Sequence, residues 1–297
     1  MRWTRGERSS NLEDRRAEAG MGAGVGGLRI PGGLGIGGLV VMFGVAWLLG
    51  IDPLTLLGAL SNNGGTQVGL PSDTGSAQPG QPGAVASSPE EEQLVDFVSF
   101  VLDDTQSTWS RLMPGYTDAQ LVLFRNAVDT GCGFAQSAAG PFYCPRDHKV
   151  YVDLGFFEEL RSRFGAPGDF AQAYVLAHEI GHHVQTQLGI ERAMREQQSA
   201  HPGQANALSV RLELQADCFA GVWGHSTARR DLLDPGDLDE GLAAAAAVGD
   251  DRIQEMATGE VRPESFTHGS SQQRTEWFRR GFESGDPKAC DTFGSAD

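Results

Sequence analysis

Two histidines stand four apart in the string His178-Glu179-Ile180-Gly181-His182. On a helix, residues four apart share a face, so both imidazoles reach toward one point while Glu179 stands beside it. A hydrolytic zinc site needs this set. The two neutral nitrogens hold the ion, and the carboxylate takes a proton from the water bound to it. With 7 His and 18 Glu in 297 residues, chance supplies about 0.01 such strings. A catalytic zinc also needs a third protein ligand and a fourth position open to water. Glu213, in Arg211-Leu-Glu-Leu-Gln-Ala-Asp217, is the expected third ligand. Asp217 lies four residues on and shares its face; it is expected to accept the free ring N–H of one ligand histidine and so fix its tautomer. Leu212, Leu214, Ala216 and Phe219 surround this pair, and carboxylates on an apolar helix need a partner. His183 points about 100° round the helix from His182 and is expected to pack or to support rather than to ligate. His268, in Thr-His-Gly-Ser-Ser, is a candidate donor to a developing oxyanion. A capping or surface role is its alternative, and loss of zinc on its removal would make it a rival to Glu213.

The elements that must position these groups are mostly helical. Residues 170–188 carry the histidines between Asp169 as N-cap and Gly189 as stop, and 207–225 carry Glu213 and Asp217 behind Asn206 as cap. Apolar residues at helical spacing predict further helices over 94–113, 156–164, about 236–257 and 271–282. One alternating segment, 149–154, predicts a strand just upstream of the metal helix, where an extended peptide could pair with it; a sheet strand with no substrate is the alternative. The expected fold class is α+β, helix-dominated, with a small sheet.

The remaining segments are of different character. Residues 1–29 hold six arginines and four acids without apolar periodicity and read as a disordered polar tail. Ile30–Ile51 is uncharged and long enough to cross a bilayer as a helix. No convincing cleavage site follows it, so it reads as an uncleaved anchor. The arginines before it, with no Lys or Arg after it until Arg111, place residues 1–29 in the cytoplasm and the rest outside. Residues 52–90 are rich in Gly, Pro and Ser and read as a flexible linker. The folded domain is expected over 91–297. It carries 32 acids against 17 bases, most of the chain's net charge of -16, which excludes a nucleic-acid partner. All four cysteines lie there, in the compartment where disulfides persist. Three pairings are possible; Cys132–Cys144 as a local loop and Cys218–Cys290 as a long tie are the expected ones.

In order along the chain come NLEDRR, GPFYCP with VYVDLGFF, GDFAQAYVLAHEIGHHVQ, VRLELQADCFAGVW, FTHGSSQQRTEWFRRG and CDTF. With these blocks the sequence resembles the putative neutral zinc metallopeptidase family of membrane-anchored bacterial proteins. The resemblance implies a zincin-like domain behind a single transmembrane helix in the bacterial cell membrane. It implies one Zn2+ per chain on His178, His182 and a gluzincin-like Glu213, with Glu179 as general base and Asp217 behind the ligands. The expected activity is zinc-dependent hydrolysis of peptide bonds in a peptide or protein substrate, as an endopeptidase. The alternative is a non-catalytic zinc-stabilised binding or scaffold domain at the cell surface. Nothing in the residues selects a substrate sequence or an oligomeric state.

Overall fold

Ser88 accepts a hydrogen bond from the Glu91 N–H and opens a long helix, α1 (Pro89–Leu112), with three glutamates in its first turn against the positive end of the helix dipole. The computed structural model describes residues 1–18 and 87–294. The expected span 30–51, and the expected linker as far as residue 86, lie outside the described residues. Among the described residues no helix is long and apolar enough to cross a membrane. A short strand, β1 (Leu12–Asp14), precedes α1. After α1 come β2 (Gln120–Phe124), the hairpin β3 (Ala127–Thr130) and β4 (Gly133–Gln136), then β5 (Phe142–Cys144) and β6 (Lys149–Asp153). The rest is helical: α2 (Gly155–Ser162), α3 (Asp169–Gln187), α4 (Ile190–Ala200), α5 (Ala205–Arg229), α6 (Asp237–Ala247), α7 (Asp250–Thr258) and α8 (Ser271–Ser284). The fold is the expected helix-dominated α+β.

Four strands form one sheet in the order β1-β2-β6-β5, and β3 pairs with β4 separately. β2 and β6 run parallel, while β5 runs antiparallel to β6. Alternate residues supply two cores. Leu121, Leu123, Val150 and Val152 pack with α1, α3 and α5, and Val122, Phe124 and Tyr151 pack with Val128 of the hairpin. Burial on both faces explains why these strands are so apolar. The strand expected over 149–154 is β6, but it is interior. β2 pairs along the whole length of β6 and β5 along Lys149–Tyr151, so over those residues β6 has no free edge for a peptide to join. The edge positions belong to β1 and β5.

The expectation of a disordered tail over residues 1–29 does not hold for residues 1–18. β1 adds in parallel to β2, with Leu12 beside Leu121. Trp3 packs on Phe97 and Phe100 of α1, at ring-centroid distances of 5.4 and 6.2 Å. Arg8 donates to Glu92 and Asp96, Arg16 reaches Asp14, Glu91 and Glu92, and Lys149 pairs with Glu13 at 2.8 Å. The Met1 ammonium donates to Asp169 at the start of α3. Arg5, Arg8 and Arg16, which looked like part of a solvated tail, are thus partners of the acids on α1. Residues 1–18 belong to the same compact unit as residues 87–294.

The helices pack where small residues permit it. A Cβ on Gly281 of α8 would overlap the carbonyl oxygen of Cys218, and one on Gly221 of α5 would overlap that of Phe278, so these two backbones touch. Three local expectations are corrected. Asp169 is the first residue of α3 rather than its cap, because its carboxylate holds Met1. Asn206 lies inside the first turn of α5, and its amide donates to Glu264 O. The helix expected over 236–257 breaks at Val248-Gly249, where Gly249 passes against the backbone of Ser271 at the start of α8.

Candidate metal centre

α3 and α5 approach closely beside Gly181, where a Cβ would sit 3.0 Å from Ala216 O. That approach brings Glu213 to the histidine pair. His178 Nε2 and His182 Nε2 lie 3.2 Å apart, and Glu213 stands 3.2 Å from the first and 3.5 Å from the second. One donor atom from each of the three lies within 4.8 Å of the others. Two imidazole nitrogens and a carboxylate oxygen form a donor set suited to zinc.

The ring nitrogens facing away from this point are engaged too. His178 Nδ1 lies 2.8 Å from Asp217 Oδ1. Asp217 is fully buried. It also accepts from the Tyr174 hydroxyl and, at 2.8 and 2.9 Å, from Nε and Nη2 of Arg274. His182 Nδ1 lies 2.8 Å from Gln185 Oε1. Each imidazole therefore has an acceptor for an Nδ1 proton, which leaves each Nε2 lone pair for a cation.

The electrostatics agree with a cation site. Burial alone would depress the pKa of both histidines, yet both are raised: Asp217 and Glu213 push His178 up to about 9, and Glu213 raises His182. Burial would raise Glu213 and Asp217. The histidines outweigh it at the first, Arg274 and His178 at the second, and both carboxyls are lowered. The cluster favours positive charge at the convergence point, as proton or as metal, and the residues present fit a divalent ion. Glu179 is 8% exposed, and burial raises its pKa.

Other expected residues fall as follows. His183 is buried away from the donors, with Nε2 at 2.7 Å from Thr117 O and Nδ1 at 2.9 Å from the Tyr143 hydroxyl. His268 is half-exposed and is not one of the three converging donors. Asp250 accepts from its backbone N–H and faces its Nδ1 at 3.1 Å. Burial would depress the His268 pKa, but Asp250 and the charge of Glu213 raise it. Both expected disulfides are formed. Cys132–Cys144 ties the hairpin turn to β5, and Cys218–Cys290 ties α5 to the C-terminal turn. Sequence reasoning missed Tyr174, Gln185, Gln215 and Arg274. Tyr174 and Gln185 carried a signal, four before His178 and three after His182, hence on the ligand face. Arg274 lies 96 residues from His178 and carried none.

Fold and site together define a helical α+β domain in which two histidines and a glutamate converge as donors that could hold a metal ion. The chain belongs to the family described as putative neutral zinc metallopeptidase, whose model matches residues 1–293. It is 46% identical to the uncharacterized protein YpfJ of Escherichia coli K12, over the full length of both chains. It is 50% identical to the uncharacterized protein Rv2575 of Mycobacterium tuberculosis H37Rv, over 66% of this chain and 69% of that one. No solved structure matches the chain.

Proposed function

We propose that this protein is a zinc-dependent endopeptidase with a zincin-like site, holding one ion on His178, His182 and Glu213. The observation that carries the reading is the convergence of those three donors, with an acceptor behind each histidine. An ion bound there supplies a Lewis acid for the scissile carbonyl and an acidified water. Glu179, a buried carboxyl of raised pKa beside the ligands, takes the water proton on its carboxylate oxygen and delivers it to the leaving amine nitrogen. Asp217 holds the Nδ1 proton of His178, so the imidazole cannot turn away as charge shifts. His268, steadied by Asp250, is the proposed donor to the carbonyl oxygen. A peptide in extended form would pair with edge strand β5, whose Tyr143 touches His183 next to a ligand; this favours cleavage within a chain. A purely structural zinc site closes with four protein ligands and has no use for a base, so Glu179 favours hydrolysis over the scaffold reading.

The disulfides support an oxidising, extracytoplasmic setting, and residues 30–51 are the proposed membrane attachment. Any such attachment leaves residues 1–18 and 87–294 on the same side. The deciding experiment measures zinc content and peptidase activity of the full-length protein. Wild type should hold about one zinc, Glu213→Ala should lose it, and Glu179→Gln should keep it without turnover. A folded wild type without zinc would sink the proposal. Zinc without activity in wild type, or unchanged activity in Glu179→Gln, would support the scaffold reading.

A further inference from the structure

His178 and His182 are held by different chemistry. Behind His178 stands a carboxylate; behind His182 stands a chain of two neutral amides, all of it buried. Gln185 is fully buried and Gln215 is 4% exposed. Gln185 Nε2 donates to Leu212 O at 2.7 Å and to Gln215 Oε1 at 3.1 Å, and Gln215 Nε2 donates to Cys290 O at 2.9 Å. A backbone carbonyl can only accept, so the Gln215 atom facing Cys290 is its NH2, and its oxygen is left for Gln185. Leu212 O constrains Gln185 in the same way. The Gln185 oxygen must then face His182 Nδ1, 2.8 Å away. That oxygen needs a proton, so His182 carries its hydrogen on Nδ1 and turns a bare Nε2 toward His178 and Glu213. Flipping either amide would set two acceptors, or two donors, against each other in a dry interior, where an unmade hydrogen bond is most costly.

The outer end of this chain has its own anchor. Cys290 contributes its carbonyl to Gln215 and its sulfur to Cys218. Gln215 and Cys218 lie three apart on one face of α5. The C-terminal turn is thus attached to α5 at two adjacent points, one covalent and one through the amide. A small cavity lined by Ile190, Met194, Asp291 and Phe293 adjoins Gln215, so a turn released from Cys218 admits water to the amide.

We infer that Gln185 and Gln215 are positioning residues that set the tautomer of His182, and that the Cys218–Cys290 disulfide holds the carbonyl on which they depend. Zinc retention then depends on a bond that lies behind the site and touches no ligand. The inference rests on the zinc reading above.

The test is the zinc dissociation constant of the full-length protein in detergent, by competition with a chromophoric chelator, with thermal melts of each metal-free variant. Gln185→Met should weaken zinc binding about 10–100-fold. Gln215→Met and the pair Cys218→Ala/Cys290→Ala should each weaken it several-fold. The cysteine pair should add little once Gln215 is Met, because both act through the same carbonyl. General loosening of the fold would make those two effects multiply. A folded Gln185→Met with zinc affinity within about twofold of wild type, or multiplying effects of Gln215→Met and the cysteine pair, overturns the inference. If the cysteine variant does not fold, Gln215→Met decides alone, since unchanged affinity there breaks the relay. Wild type that binds no zinc overturns the proposed function and the relay with it; wild type that binds zinc beside unaffected variants overturns only the relay.

Discussion

Replacing Arg274 by methionine removes the one guanidinium bonded to a carboxylate that has no access to water. Asp217 is fully buried and Arg274 is 4% exposed, and two of the four donors to Asp217 come from Arg274. Removing one partner of a buried ion pair costs about 3–5 kcal/mol, because the other charge stays behind without compensation. Tyr174 and His178 remain as donors, so the lower end, about 3 kcal/mol, is expected. For a domain of this size that lowers Tm by roughly 6–12 °C. Asp217→Asn should cost a similar amount by stranding the guanidinium. The double variant buries neither charge, and its cost should fall at least about 2 kcal/mol short of the sum. The assay is thermal and urea unfolding of metal-free wild type, both single variants and the double. Single costs below about 1 kcal/mol, or additivity within about 0.5 kcal/mol, would refute the pairing argument. Zinc affinity adds a second readout, and Arg274→Met should weaken it roughly tenfold or more by loosening the carboxylate behind His178.

Three further outcomes follow from the fold. Gly281→Leu should prevent α8 from seating on Cys218 and Gly221 and cost more than about 3 kcal/mol by overpacking a backbone contact; a melt within a degree or two of wild type would disprove the contact. Arg8 and Arg16 lower the Glu92 pKa to about 2, and Arg16 lowers Asp14. A carboxyl depressed on folding stabilises above its usual 4.5 and loses that contribution as pH falls toward 2. Hydrogen-exchange protection of β1 should therefore drop selectively on acidification through that window, and constant protection down to pH 2 would argue against the ion pairs. The third concerns sidedness. All four cysteines are paired, so Ser10→Cys and Glu255→Cys each present a single free thiol at an exposed position. A membrane-impermeant maleimide should label both or neither in intact cells; labelling of only one would mean that β1 does not pair with β2 in the cell.

The local parts of this protein were legible because they depend on near neighbours. Residues four apart on one helix share a face wherever that helix lies, so His178, Glu179 and His182 could be read as a set, and Glu213 with Asp217 as another. Helix periodicity delivered α1, α3, α5 and α8, and Gly189, with φ 74, stops α3 as its type suggests. What failed depended on partners distant in the chain. A strand of three residues carries no pattern of its own, and the arginines of residues 1–18 resemble a solvated tail until the acids of α1 and the edge of β2 are set beside them. Whether β6 is edge or interior is a property of its neighbours, not of Lys149–Asp153. Tertiary structure alone decided that Arg274 stands behind Asp217 and that two carbonyls, Leu212 and Cys290, orient the amides behind His182. Sequence thus determined which atoms could bind a metal, because ligand type and helical spacing are local. The tertiary fold decided how they are aimed, because a hydrogen's place on an imidazole is set by whatever acceptor the packing brings to its other side.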